Sequence, residues 1–281
     1  MEDIQSKLYQ RHARGHRASE ARVLSAMFAI GAATLFATHA RAADSKAKAI
    51  AQAEKADAGA ASSTAPAASE ASLLGVGLGL FVEDSERTQQ SLIGGQEPQE
   101  REPEELVSAS VFNIQVWYLR PLLVPGLRWG GGVAWFSGYS LEEPDADDDA
   151  EPYTAGQMFQ IGLQGEYELS QVVSKLGVIL GLRAGGALLF PGQDLQAELD
   201  ALERRGLDVW GGPQPGVYVA PLVGVRWPLS ARVNLRADIS AQFAKLWLYT
   251  ADGEAEGITS EQSAVLTTTR TQLLIGLDFS L

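Results

Sequence analysis

The chain has 281 residues, a formal net charge of −13 and no cysteine, and its three histidines, His12, His16 and His39, all fall in the first 42 residues. Beyond that stretch there is neither imidazole nor thiol, which removes the usual general base, the usual zinc ligands and the thiol nucleophile together. Residues 1–42 hold 6 of the 22 Lys and Arg and 3 of the 35 Asp and Glu, so the remainder carries −16 and presents a surface that repels nucleic acid.

Lys7, Arg11, Arg14, Arg17 and Arg22 precede an apolar run from Val23 to Ala37, which is followed by Ala40-Arg41-Ala42. A basic stretch, an apolar run of 15 residues and small residues at the cut site predict a cleaved Sec-type signal peptide over residues 1–42. The run is shorter than the about 20 residues a membrane-spanning helix needs. No arginine pair precedes it, which argues against the twin-arginine route. Residues 43–71 are rich in Ala, with Ser, Lys and Glu and no aromatic side chain, and are predicted to be a disordered periplasmic linker.

From Ser72 to Leu281 the chain alternates apolar and polar positions with a period of two, the mark of half-buried strands. Eight segments are predicted: Ser72–Asp84, Leu106–Tyr118, Leu127–Tyr139, Gly156–Leu169, Lys175–Leu189, Gly216–Trp227, a seventh through Val233–Phe243 and an eighth ending at Leu281. In the first, Leu74, Val76, Leu78, Leu80 and Val82 oppose Gly75, Gly77, Gly79 and Glu83, with Phe81 as the exception. In the seventh, Val233, Leu235, Ala237, Ile239, Ala241 and Phe243 oppose Asn234, Arg236, Asp238, Ser240 and Gln242. Several segments reach 12 residues, against about 9–11 for a tilted membrane-crossing strand.

The connections alternate in length. Long loops are predicted at Ser85–Glu105, Ser140–Ala155, Phe190–Pro215 and Thr250–Ala264; short turns at Arg120–Gly126, Ser170–Ser174 and Pro228–Ser230. Long connections on one side and tight turns on the other, with an even strand count, predict an all-β, eight-stranded antiparallel up-and-down transmembrane barrel. Within the third loop, Leu195, Leu199 and Leu202 share one helical face, Asp194 is placed to cap the start and Gly206 to end it, so a short amphipathic helix over Gly192–Gly206 is predicted to fold over the barrel mouth. Two aromatic belts are predicted, Trp117, Trp129, Tyr167, Trp227 and Phe279 near the turns and Trp135, Phe159, Phe243, Trp247 and Tyr249 near the loops.

The polar faces collect Glu83, Arg128, Glu166, Glu168, Arg183, Arg226, Arg236, Asp238, Arg270 and Asp278 among many glycines. A soluble, lipocalin-like ligand binder would turn these faces to water, where lysine would be common and glycine out of place. Inside a narrow membrane barrel, glycine leaves room for long charged side chains to pair. The set is read as a packed polar plug, since an eight-stranded bore is about wide enough for its own side chains. The alternative is an ion path gated by switchable salt bridges, that is, a narrow channel for small solutes.

The region Ser72–Leu281 resembles the small eight-stranded outer-membrane barrels of the OmpA and OmpX type, on pattern rather than on a motif. The end of the chain, Gly276-Leu277-Asp278-Phe279-Ser280-Leu281, is similar to the assembly signal of outer-membrane proteins, departing from it in the terminal Leu281 and in Leu274 at a usually polar position. The resemblance implies residence in the outer membrane of a Gram-negative bacterium, both termini periplasmic and long loops extracellular. It also implies contact with outer-membrane lipids and lipopolysaccharide, and assembly by the barrel-assembly machinery through the last strand. The peptidoglycan-binding domain that follows the barrel in OmpA is not implied.

Enzymes built on small outer-membrane barrels rely on histidine, and neither G-x-S-x-G nor S-x-x-K stands in a predicted strand. No catalytic residue, cofactor or metal ligand is therefore assigned; a histidine-free lipid-modifying enzyme is the remaining catalytic reading. Glu142, Glu143, Asp145, Asp147, Asp148, Asp149 and Glu151 crowd one loop without the spacing of an EF-hand, and are read as a solvated surface that meets the divalent cations bridging lipopolysaccharide. The predicted role is a non-enzymatic, structural or surface-interacting envelope protein, with no nucleic-acid partner.

Overall fold

The computed structural model describes residues 71–94, 96–144, 151–173, 176–255 and 258–281. The predicted signal peptide, the linker as far as Glu70, and Asp145, Asp147, Asp148 and Asp149 of the acidic loop lie outside these residues. Among the described residues, eleven strands and one helix follow in chain order: β1 Leu73–Ile93, β2 Gln99–Glu100, β3 Glu104–Ser108, β4 Phe112–Pro121, β5 Leu127–Glu142, β6 Tyr153–Val173, β7 Leu176–Pro191, α1 Gln193–Arg204, β8 Asp208–Val209, β9 Gln214–Pro228, β10 Val233–Ala255 and β11 Ile258–Ser280.

Eight staves close into a ring of antiparallel pairs, β1, β3 with β4, β5, β6, β7, β9, β10 and β11. The last stave returns to the first in an unbroken register from Leu73 opposite Ser280 to Ile93 opposite Ser260. The second stave is broken between Ser108 and Phe112, where Val111 accepts from the Phe81 amide and Ala109 donates to Ser140. β2 and β8 are two-residue additions near the long-loop end, paired with β1 and β10.

The staves are longer than the sequence indicates. β1 runs to Ile93, and β10 and β11 have 23 residues each, about twice what a membrane crossing needs. The predicted loops Ser85–Glu105 and Thr250–Ala264 are accordingly largely hairpin. Alternation there is between polar and small or polar residues (Asp84, Glu86 outward; Ser85, Arg87 inward), which hides the period-two signal from a hydrophobicity reading. The helix falls where predicted, but Gly192, not Asp194, stands at its N-cap. Asp194 accepts the Thr154 amide at 2.7 Å and so ties the helix to β6.

The two faces of the wall exchange character partway up. Near the short turns, Leu74, Val76, Leu78, Leu80 and Val82 of β1, Leu235, Ile239 and Phe243 of β10 and Leu273 and Ile275 of β11 are exposed, while charged residues point inward. Near the long connections, Asp84, Glu86, Lys245 and Thr267 face out, and Phe136, Leu189, Leu246, Leu248 and Leu266 face in. Bulges mark this level: β5 shifts register between Phe136 and Ser140 around Gly138, at φ +63°, and β10 shifts between Trp247 and Tyr249.

Candidate functional site in the barrel lumen

The lumen is stacked in four layers. Nearest the short turns, four arginines and four carboxylates interlock. Arg226 donates to Glu166 at 2.7 Å, to Asp278 at 2.6 Å and to Glu168. Arg128 reaches Glu168 at 2.5 Å. Arg236 donates to Glu166 at 2.9 Å and Asp238 at 2.7 Å, and Arg183 meets both oxygens of Asp238 at 3.2 Å. Charges balance one for one, which suits a low-dielectric interior where an unpaired charge is costly. The Trp117 indole completes the layer, donating to Asp278 at 2.7 Å beneath the Arg236 guanidinium, 5.0 Å from its ring. It lies over Gly75, where a Cβ would fall 2.0 Å from the ring. Below this layer a vestibule of about 320 Å³ opens at the short-turn end and stops at Arg128, Glu168 and Arg226.

The next layer is made of carboxamides: Asn113, Gln115, Gln160, Gln164, Gln242 and Gln272, all buried. Gln115 and Gln164 accept from Arg183 at 3.1 and 3.0 Å, linking the layer to the charges below. Above it stands one ion pair, Arg270 donating to Glu83 at 2.6 Å. The Arg270 guanidinium is boxed by Phe136, Phe81 and Tyr139 at 4.3, 4.7 and 5.9 Å from their ring centres. Glu83 also accepts from Ser85 at 3.0 Å and from the Tyr139 hydroxyl.

The fourth layer is apolar and is closed by α1, whose Leu195, Leu199 and Leu202 are buried against Leu106, Leu141, Met158, Leu248 and their neighbours. Burying each leucine stabilises the closed mouth by about 2 kcal/mol. One carboxylate pins the helix to the wall: Glu198 takes Arg87 through both oxygens at 2.5 Å, Tyr153 at 3.1 Å and Tyr249 at 3.2 Å. Burial and the Glu198 charge push the Tyr249 hydroxyl up to about 12 and raise that of Tyr153 as well. Burial opposes the charge of Arg87, but the Glu198 bond and field outweigh it and raise its pKa.

All ten charged residues predicted for the interior lie in the lumen, Glu168 only partly buried. Of the predicted belts, Trp129, Trp135, Phe159, Tyr167, Trp227, Phe243, Trp247 and Phe279 lie on outward positions. Trp117 and Tyr249 do not; they are 2% and 6% exposed and face the lumen. Trp117 is in phase with the buried Asn113 and Gln115 of β4 and out of phase with Ile114, Val116 and Tyr118, which face out, so alternation places it inside and only its aromatic character suggests the belt. Tyr249 follows the β10 bulge, which turns Leu248 and Tyr249 inward together. Alternation puts Gln160, Gln164, Gln242 and Gln272 on polar strand faces, but nothing in the sequence marks them as one layer; Tyr139 and the Arg87–Glu198 clamp carry no such mark, the clamp joining residues 111 positions apart.

No family model and no curated protein matches this sequence. Among solved structures the chain is similar to the outer membrane protein OprG from Pseudomonas aeruginosa, at 11% identity over 76% of this chain and 97% of that one, with a TM-score of 0.45. It is similar to Neisserial surface protein A at 13% identity, 72% and 97% coverage and a TM-score of 0.32. It is also similar to the outer membrane protease OmpT from Escherichia coli at 9% identity, 78% and 99% coverage and a TM-score of 0.27. At these identities the likeness is one of fold; the eight-stave ring is defined by its own strand pairing.

Proposed function

We propose that the chain is a sealed, non-enzymatic barrel of a Gram-negative outer membrane. Its termini and short turns lie in the periplasm, and its long-connection end carries an acidic surface outward. The observation that supports this most is the filling of the lumen. A balanced ion-pair layer, a carboxamide layer, a boxed arginine and a leucine-capped apolar layer lie one above the other, and the vestibule at the short-turn end stops at the first of them. Such a bore holds the wall rigid and leaves solutes no path. The exposed leucines, valines and isoleucines of the lower wall, flanked by Trp129, Trp227, Trp135 and Trp247, fit a hydrocarbon slab with aromatic edges.

The upper barrel and its acidic connections are then the working surface, a rigid platform for contact with lipopolysaccharide through divalent cations or with a surface partner. Insertion would proceed through the barrel-assembly machinery and β11. In planar bilayers the purified protein is expected to give no stable single-channel current, while outer-membrane fractions show a band that migrates faster unboiled than boiled. A steady current would establish the channel reading. An unshifted band in the soluble periplasmic fraction would establish the soluble ligand binder. Altered lipid A in a deletion strain would establish the enzyme.

A further inference from the structure

The lumen leaves several buried donors without a hydrogen-bond acceptor, among them Arg87 Nε, Arg236 Nη2, Arg270 Nη1, Gln160 Nε2 and Gln242 Nε2. The arginines have a substitute: their guanidinium groups lie over Tyr153, over Trp117 and within the Phe81, Phe136 and Tyr139 box. The neutral carboxamides carry no charge with which to gain a cation–π substitute. Gln115, Gln164 and Gln272 spend their amide hydrogens on Asn113, Glu166 and Asn113. Gln160 and Gln242, each 4% exposed, do not, and both line one chamber of about 20 Å³ in the carboxamide layer. That is room for about one water, and Gln115, Gln164, Gln272, Ser240 and Tyr218 bring further polar groups to a mixed lining. A buried donor left unpaired costs about 1–3 kcal/mol, so two donors on one water-sized space call for an acceptor between them.

We propose that this chamber is a binding site for a single water molecule, whose oxygen accepts from Gln160 Nε2 on β6 and Gln242 Nε2 on β10. The balance of charge favours water over a halide of similar size. Glu83, Glu166, Glu168, Asp238 and Asp278 already match Arg128, Arg183, Arg226, Arg236 and Arg270 one for one, and an anion would add an unmatched charge in a dry interior. The water joins β6 and β10, two staves separated by β7 and β9 in the ring.

The sign of a stability change tests this. Gln160→Met and Gln242→Met keep the side-chain length and remove the donor. If the water is held, each variant of the full chain in detergent melts lower by about 2–4 °C, and the double variant by less than the sum, because the second change removes a bond already lost. If a donor is instead unpaired, its removal raises the melting temperature, and that result, or strict additivity, overturns the proposal. Crystals of the unaltered protein grown in sodium bromide supply the second arm. A single spherical density within hydrogen-bond distance of both amides, without anomalous signal, supports water. A bromide peak in the chamber, or no density there, sinks it.

Discussion

The lower and upper halves of this barrel are built on opposite rules from one continuous set of strands. On β1 the wall below Val82 is apolar outside with charged residues in the lumen behind it; above Val82, Asp84 and Glu86 face out, and under α1 the lumen is lined largely by leucines. A β-strand can do this because its two faces are independent, and a bulge or a run of small residues is enough to hand the apolar role from one face to the other. The lower half sets an electrostatic core behind an apolar outer face. The upper half is organised like a soluble barrel, with leucines and a helix for a lid. The difference teaches where each half is vulnerable: the first to loss of charge balance, the second to loss of volume.

The largest effect is expected in the lower half. Arg236→Met leaves Glu166 and Asp238 short of a partner in a fully buried layer, and stripping one member from such a network costs about 3–5 kcal/mol. The fast-migrating unboiled band should disappear at a markedly lower temperature. A variant as heat-resistant as the parent would mean that the ion pairs are not what holds this half together. Leu199→Ala probes the upper half. A cavity under α1 should cost about 2–5 kcal/mol there, read as faster proteolysis or hydrogen exchange in residues 193–204 with the strand segments of the lower half unchanged. Equal loosening of both halves would erase the distinction between them.

The smallest expected effect separates the halves by pH. Tyr153 and Tyr249 donate to Glu198, and both hydroxyls ionise higher in the fold than the usual value near 10. A raised folded-state pKa means that the neutral form is favoured by folding. The stabilisation is therefore complete below pH 10 and fades as the pH climbs from 10 to 12, the value Tyr249 reaches. The gap in melting temperature between the protein and its Tyr153→Phe, Tyr249→Phe double variant should hold constant below pH 10 and narrow above it, the Tyr249 share fading by pH 12 and the Tyr153 share later. A gap already closing below pH 10 would assign the change to another group.

What could be read in the sequence follows the same division. In the lower half, hydrophobic alternation and charge coincide: Arg236 and Asp238 stand between Leu235, Ala237 and Ile239, so strand, face and lumen position are all visible. In the upper half, both faces are polar or small in β1 and β11, and the segments read as loops. Parity fails where geometry rather than composition decides. Tyr249 faces inward because β10 gains a residue at the bulge, and nothing in Leu246-Trp247-Leu248-Tyr249 announces it. The Leu195, Leu199 and Leu202 stripe was legible because a helix writes its own period, whereas Glu198, its anchor, is one acidic residue among many until Arg87 is brought beside it.

The register that seals β1 to β11 sets the order in which the molecule can come into being. These two staves are the first and last segments of the ring, and they share 21 facing pairs from Leu73 to Ile93. Until β11 has been delivered, the sheet carries two raw edges, one on β1 and one on β10, each with a row of unpaired amides and carbonyls. A growing chain therefore has no stable half-barrel to rest in, and its slowest contacts are those of greatest sequence separation. Completion is a single event, the arrival of the final strand between two waiting edges, and every fragment that stops short of it should behave as sticky ribbon rather than as a smaller barrel.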